Sequence, residues 1–335
     1  MNLLSLEKEM IKQNYDKEYI NIVKVYAHRL VENNIPIIFN FEHLCFLTNY
    51  STEKLRYFIH NNQSLYKEIE IEKKSGNTRL ISIPNNELKV IQRWILDEIL
   101  SKIPLSPHAK GFRKGQSIIN NAQLHTNKEC VMNLDIQDFF GSVTQKQVYK
   151  IFRYVGYTKQ VSSILSLLCT KDGVLPQGAP TSPYIANLVC KKLDKRISNL
   201  FINKPINYTR YADDITVSGE ATIKDYLPIL IKIITDEGFE INTNKTRIQY
   251  SYNRQIVTGL VVNQKINVPK KMIKQLRLEI YYCKKYGVAG HIDKRHIEYS
   301  NYKHHLFGKA YYIKMVNPKL GQKFLNELNE INWDY

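Results

Sequence analysis

Tyr211-Ala212-Asp213-Asp214 lies inside an apolar, alternating stretch from Tyr208 to Gly219, so two adjacent carboxylates fall where a hairpin should bend. Adjacent carboxylates at a tight turn repel each other, and folding gains nothing from them. A hard divalent cation removes that cost, because such ions take oxygen ligands. The competing reading is that Asp favours turns, which is common for Asp-Gly and less so for Asp-Asp flanked by Ile215 and Val217. Asp135 ends a second apolar run (Val131, Met132, Leu134), with Asp138 three residues on. Alone, Asp135 could be a strand-end cap. With Asp213 and Asp214 it forms the kind of carboxylate set that clamps two Mg²⁺ ions for phosphoryl transfer. No His-rich or Cys-rich cluster competes for metal. The five cysteines are scattered without a C-x-x-C pair, which argues against a zinc ribbon or a disulfide framework.

These groups need a sheet to hold them. The sequence predicts a strand over Cys130–Ile136, a hairpin over Tyr208–Gly219 bending at Asp213-Asp214, and β segments at Thr246–Tyr250 and Gln255–Val262. A separate hairpin is expected over 67–83, turning at Ser75-Gly76-Asn77. Helices are expected through the first sixty residues, over Leu88–Leu100, from Thr144, from Ser182-Pro183 as N-cap and N1 to Leu200, and over 222–236. Lys270–Tyr286 starts after Pro269 and stops at Gly287. It carries an apolar stripe (Met272, Leu276, Ile280, Cys283) and a basic one (Lys270, Lys274, Arg277, Tyr281, Lys284).

Charge points to a polyanionic partner. The 335 residues hold 48 Lys+Arg against 31 Asp+Glu, a formal net charge of +17, and 23 tyrosines offer faces for base stacking. In the last seventy residues, Lys284, Lys285, Lys294, Arg295, Lys303, Lys309 and Lys314 interleave with Tyr281, Tyr282, Tyr286, Tyr299, Tyr302, Tyr311 and Tyr312, which suits structured RNA. There is no internal repeat or flexible linker, and the length allows two or three substructures packed together. No apolar run approaches the ~18 residues of a membrane span and no leader pattern opens the chain. The expectation is a soluble, cytoplasmic protein with no membrane partner.

Four segments, NLDIQDFFGSV, LPQGAPTSP, RYADDITVSG and EGFEINTNKT, resemble the polymerase motifs of reverse transcriptases in order and spacing. Asn121-Ala122-Gln123-Leu124-His125 and Val257-Thr258-Gly259 are similar to the NAxxH and VTG signatures of the retron branch of that family. The resemblance implies an α+β right-hand polymerase: an antiparallel palm sheet backed by helices, mixed fingers and a helical thumb. It implies an N-terminal helical extension over 1–62, fingers over 63–130, palm over 131–262 with fingers-side elements near 150–180, and an RNA-binding thumb over 263–335.

Residue by residue, the resemblance implies that Asp135, Asp213 and Asp214 are catalytic metal ligands, joined by the Ile136 carbonyl, for two Mg²⁺ ions. Lys245 would be the general acid for pyrophosphate departure. Arg79, with Lys73 or Lys74 as a second candidate, would meet the triphosphate. Asp138 would lie beside it, with capping of the following helix as the alternative. Phe140 would be the steric gate against a ribose 2′-OH, with Phe139 toward the core. Gln177 would line the nucleotide pocket and Gly178 would permit close backbone approach. Asn121 and His125 would recognise RNA or organise the fingers. Thr258 and Gly259, on a strand, would recognise RNA, Gly259 permitting close approach by nucleic acid or by another strand. Lys284, Lys285 and Tyr302 would grip RNA. The implied activity is RNA-directed DNA synthesis from dNTPs. It would start at a 2′-OH of a branching guanosine in a structured non-coding RNA and yield the branched RNA–DNA hybrid msDNA. The implied partners are that RNA and its cDNA, an effector protein of the same anti-phage system, and a host RNase H. Two other readings stand beside it: a reverse transcriptase of another bacterial lineage, and an RNA-binding scaffold with a vestigial site.

Overall fold

The computed structural model describes residues 3–72, 76, 78–295 and 301–333. Lys73, Lys74, the turn residues Ser75 and Asn77, and Tyr299 lie outside the described residues. Eight strands are described: β1 (Tyr66–Glu72), β2 (Thr78–Pro84), β3 (Cys130–Asp135), β4 (Asn207–Tyr211), β5 (Asp214–Gly219), β6 (Arg247–Tyr250), β7 (Ile256–Val257) and β8 (Leu260–Val261). Four of them form one antiparallel sheet in the order β4-β5-β3-β6.

Strand alternation divides this sheet into two unlike faces. Met132, Leu134, Tyr208, Ile215 and Val217 enter the main core. The intervening residues (Asn133, Asp135, Thr209, Asp214, Thr216, Ser218) fall on the other face, where β3 and β5 pair Asn133 with Thr216 and Asp135 with Asp214. A one-residue slip would drive the carboxylates into the core, so burial of the apolar set fixes the position of the acidic one. The core behind the sheet is completed by helices Gln145–Val155, Lys159–Cys169, Ser182–Val189, Lys191–Leu200 and Leu227–Asp236. Thr144 starts the first of these through a reciprocal capping box with Gln147, and Gly156 ends it at φ 117°. Helices Lys17–Glu32, Phe41–Thr48 and Thr52–His60 belong to the same body, since Leu30, Leu44, Leu55 and Phe58 are buried in that core.

The helix Lys270–Tyr286 has the expected bounds, with Leu276, Ile280 and Cys283 buried and Lys270, Lys274, Arg277, Tyr281 and Lys284 exposed. With Val288–Arg295, Tyr302–Val316 and Pro318–Asn329 it builds a second core, which also takes in Val257, Leu260 and Val262 and reaches Ala122 and Val131. Among the described residues no helix is long and apolar enough to cross a membrane.

Several expected boundaries shift. The hairpin bends at Ala212-Asp213, because Tyr211 and Asp214 are cross-strand partners and Asp214 already belongs to β5. The helix expected from Ser182 to Leu200 is broken at Cys190, whose ψ of −2° separates its halves. Ser182 is no N-cap: its hydroxyl donates to the Pro176 carbonyl (2.7 Å) and so ties the helix to the preceding loop. The segment over 255–262 is a small β7–β8 hairpin. Thr258 and Gly259, expected on a strand, occupy its turn at φ 46° and 82°, the sign pattern of a type I′ bend.

Candidate active site

Asp135, the last residue of β3, and Asp214, the first of β5, are directly paired, and Asp213 sits in the adjoining turn. The Asp213 carbonyl accepts the Ile136 N–H at 2.9 Å, which fastens the turn to the end of β3. Burial pushes the Asp213 and Asp214 carboxyls up, and neighbouring carboxylates add to it. Asp214 reaches about 7, through burial and then Asp213 and Asp135. Asp213 moves in the same direction, through burial and then Asp135. Lys245, on the short turn Thr243–Lys245, places Nζ 2.8 Å from one Asp135 oxygen and 3.1 Å from the other. Repelling, half-buried carboxylates with one exposed lysine against them have the donor chemistry for a hard divalent ion. Among the described residues no group of three or more His, Cys, Asp or Glu side chains is placed so that together they could hold a metal ion. An open carboxylate set suits Mg²⁺, which keeps water and substrate phosphate oxygens among its ligands.

A cleft of about 730 Å³ opens beside these groups. Its lining brings together Asp135, Ile136, Asp213 and Lys245 with the expected nucleotide-side residues Arg79, Asp138, Phe140 and Gln177. Phe139 is buried as expected, packed against Phe239, while Phe140 is half-buried on the cleft wall. Asp138 does not cap the next helix, a place taken by Thr144; it turns at φ 41° with its carboxylate over Gly141. Gly178 is absent from the lining. Its close approach is to β2: at φ 135°, an added Cβ would stand 2.6 Å from the Ser82 carbonyl oxygen. The adjacent Gln177 carbonyl accepts the Ser82 N–H at 2.8 Å. The close backbone approach expected of Gly178 is therefore made to the β1–β2 hairpin, while the residue itself stays exposed. The lining also includes Phe112, Gln137, Asn242 and Asn244, which sequence reasoning missed. Phe112 could have been suspected from its place in Gly111-Phe112-Arg113, within the loop before Asn121.

Asn121 and His125 flank the end of helix Ile118–Gln123, and both are fully buried. The His125 ring bridges Ser218 Oγ on β5 and Thr209 Oγ1 on β4, each at 2.7 Å. Asn121 Nδ2 reaches Thr258 Oγ1 at 3.5 Å, so the NAxxH and VTG segments touch. Direct RNA contact by Asn121 or His125 is incompatible with this burial; their geometry joins the polar face of the sheet to the base of the second core. Burial, with Lys128 nearby, pushes the His125 pKa down to about 3, so the ring is neutral at physiological pH. Between pH ~6.5 and 3 the unfolded chain binds a proton that the native ring refuses, so His125 makes stability fall on acidification. His125→Ala should cost about 2–4 kcal/mol, because it leaves a cavity and strands two buried hydroxyls. Thermal denaturation checks this, together with a weakened acid dependence.

Of the thumb candidates, Tyr302 is buried, its hydroxyl 3.1 Å from His291 Nε2, which removes it as a direct RNA contact. Lys284 is exposed and paired with Glu330. Lys285 lies over the rings of Tyr281 and Tyr286, with Lys294 also over Tyr286, an exposed cation–aromatic cluster.

A carboxylate-tipped antiparallel sheet with a helical core behind it and a basic helical lobe beside it defines a nucleic-acid polymerase. Residues 71–292 match the reverse transcriptase (RNA-dependent DNA polymerase) family. The chain is 38% identical over 282 residues to the retron Ec86 reverse transcriptase of Escherichia coli, covering 82% of this chain and 87% of that protein. It is 35% identical over 321 residues to the retron Mx162 reverse transcriptase of Myxococcus xanthus, covering 84% of this chain and 64% of that longer protein. A solved Candida albicans telomerase in complex with a telomeric RNA fragment aligns with a TM-score of 0.44 at 11% identity, over 79% of this chain and 63% of that one. The chain belongs to the reverse transcriptase family and, within it, to the retron reverse transcriptases.

Proposed function

We propose that this RNA-directed DNA polymerase extends a 2′-OH of a guanosine in a structured non-coding RNA, yielding branched msDNA. In this reading a host RNase H trims the template, and the product acts with an effector protein in anti-phage defence. The observation that carries the catalytic part is the convergence of Arg79, Phe140 and Gln177, from three separate segments, on the Asp135–Asp213 end of one cleft. Residues 63–130 serve as fingers, 131–262 as palm and 263–335 as an RNA-gripping thumb, with 1–62 as a helical N-terminal part of the body.

In the reaction the primer hydroxyl gives its proton to solvent water and attacks the α-phosphorus of a dNTP. A new P–O bond forms as the bond from the α-phosphorus to the bridging oxygen breaks, and pyrophosphate leaves. Asp135, Asp213, Asp214 and the Ile136 carbonyl would hold two Mg²⁺ ions, which supply charge stabilisation to the attacking and leaving oxygens. Arg79 neutralises the charge that builds on the departing pyrophosphate. Lys245, exposed and within reach of the cleft, supplies the proton that the leaving group takes. Phe140 excludes a 2′-OH on the incoming sugar. Phe140→Ala should raise rNTP use relative to dNTP use by about 10–100-fold, measured as the ratio of kcat/KM values.

The decisive experiment purifies the full chain with its co-expressed RNA, digests with RNase, and treats the remainder with an enzyme that cleaves 2′,5′ linkages. A short DNA whose mobility shifts on debranching is the expected result. Unbranched DNA would overturn 2′-OH priming. RNA alone, with no dNTP incorporation when Mg²⁺ is added, would overturn the catalytic roles.

A further inference from the structure

The end of the palm sheet away from the carboxylates carries a second concave surface. A cleft of about 830 Å³ is lined by Lys128, Arg254, Lys265 and Lys270, with Glu129 beside them. Lys128 is half-buried and the other three cations are exposed. Among the described residues none of the four cations is held in an ion pair, and the Glu129 carboxylate accepts the Ala221 N–H. Four cations against one carboxylate leave the concavity net positive, and it attracts a polyanion by counterion release.

An aromatic platform adjoins the cleft. Tyr252 is 80% exposed and stacks on half-buried Tyr250, with centroids 5.5 Å apart and planes 7° from parallel. The turn presenting it is fixed: the Ser251 N–H donates to the Glu129 carbonyl, and Asn263 Nδ2 donates to the Ser251 and Asn253 carbonyls. Tyr250 sits at the edge of the sheet on β6, opposite Cys130 at the start of β3. Asp135 is five residues further along β3, about 17 Å at the rise of an extended strand. A strand bound here is therefore remote from the reacting hydroxyl and the dNTP.

We propose that this cleft and Tyr252 form a docking site for an unpaired RNA segment, with phosphates over Arg254 and Lys265 and a base stacked on the Tyr252 ring. The inference rests on the reading above that the chain works on a structured RNA, and it assigns a part of that RNA a place outside the catalytic cleft. A duplex fits less well, since a paired base has no free face to lay on an exposed ring.

The test uses the full-length protein, a short single-stranded uridine RNA containing 5-iodouridine, the matching DNA, and a fully paired RNA duplex. Ultraviolet crosslinking of the RNA probe should map to Tyr252. Tyr252→Ala should weaken binding of that RNA about tenfold. Arg254→Glu with Lys265→Glu should lower the slope of log affinity against log salt by about 0.7 for each cation removed. Both variants should keep incorporation on a short primed template within about twofold of the parent, because the changes lie outside the catalytic cleft. Unchanged affinity and salt slope in both variants would overturn the site, as would crosslinking confined to the DNA or the duplex. Failure of the parent protein to incorporate dNTPs would instead count against the polymerase reading, and the crosslink reads out separately from it.

Discussion

Asp214→Asn should reduce dNTP incorporation by about 10³-fold or more and, in the presence of a chelator, make the protein more stable at pH 8. The two effects have one cause. Asp214 is packed between β3 and the turn with Asp135 and Asp213 as neighbours, and burial followed by those charges lifts its pKa from 3.8 to about 7. A carboxyl whose native pKa is raised keeps its proton in the fold while the unfolded chain has lost it. Between pH ~4 and ~7 the native state therefore binds more protons, and metal-free stability falls as pH rises. At 1.36 kcal/mol per unit the full shift corresponds to about 4 kcal/mol, and partial exposure with the Lys245–Asp135 pair brings the expected gain from Asn to about 1–3 kcal/mol. Chemical denaturation at pH 5 and pH 8, with chelator and with Mg²⁺, reads this directly. Mg²⁺ should stabilise the parent more than the variant. A variant that keeps the parent's pH slope would show that Asp214 does not carry the electrostatic strain.

The legible parts of this molecule were those whose physics is local. Asp135 and Asp213-Asp214 stand out because strand periodicity and charge conflict there, and the structure puts Asp135 opposite Asp214 in the register that burial of Met132, Leu134, Ile215 and Val217 requires. The helix Lys270–Tyr286 was readable for a similar reason, with Pro269 before it, Gly287 after it and two unlike faces between. What escaped depended on partners distant in sequence. Gly178 reads as a glycine needed for a close approach, but the neighbour it approaches, Ser82 of β2, lies almost a hundred residues away. His125 reads as an RNA contact until Thr209 and Ser218, more than eighty residues away, are seen to enclose it. Tyr302 sits in a basic, tyrosine-rich segment whose composition is the same whether a given ring faces RNA or a core. The bend at Ala212-Asp213 was misplaced by one residue because register is set across strands, while turn propensity sees only the Asp pair.

A further relationship of this kind lies beneath the carboxylates, and disrupting it should have the largest effect of any change outside the cleft. Arg210 is fully buried, with Nε and Nη2 on the two oxygens of Asp194 at 2.8 and 2.9 Å. Its Nη1 donates to Asn187 Oδ1 (2.9 Å) and to the Ala212 carbonyl (3.1 Å), and the Tyr208 hydroxyl donates to Asp194 at 2.7 Å. Ala212 adopts φ 58°, a conformation a non-glycine residue holds only when its surroundings over-determine it. Gly111 presses on the same turn from the other side, where an added Cβ would lie 2.7 Å from the Ala212 nitrogen. The guanidinium thus anchors the residue next to Asp213 and sets where that carboxylate points. Asp194→Ala leaves a buried charge uncompensated and should cost about 3–5 kcal/mol. Arg210→Lys keeps the charge but loses the planar fork, so it cannot serve Asp194 and the Ala212 carbonyl together. At a temperature where that variant remains folded, kcat should fall by about 10–100-fold, while KM for dNTP stays near the parent value because Arg79 and Gln177 are untouched. A purely structural role would show as lost melting temperature with an unchanged kcat per folded molecule. That result would reduce Arg210 to a core ion pair, whereas the kcat-selective loss would make it the residue that aims Asp213.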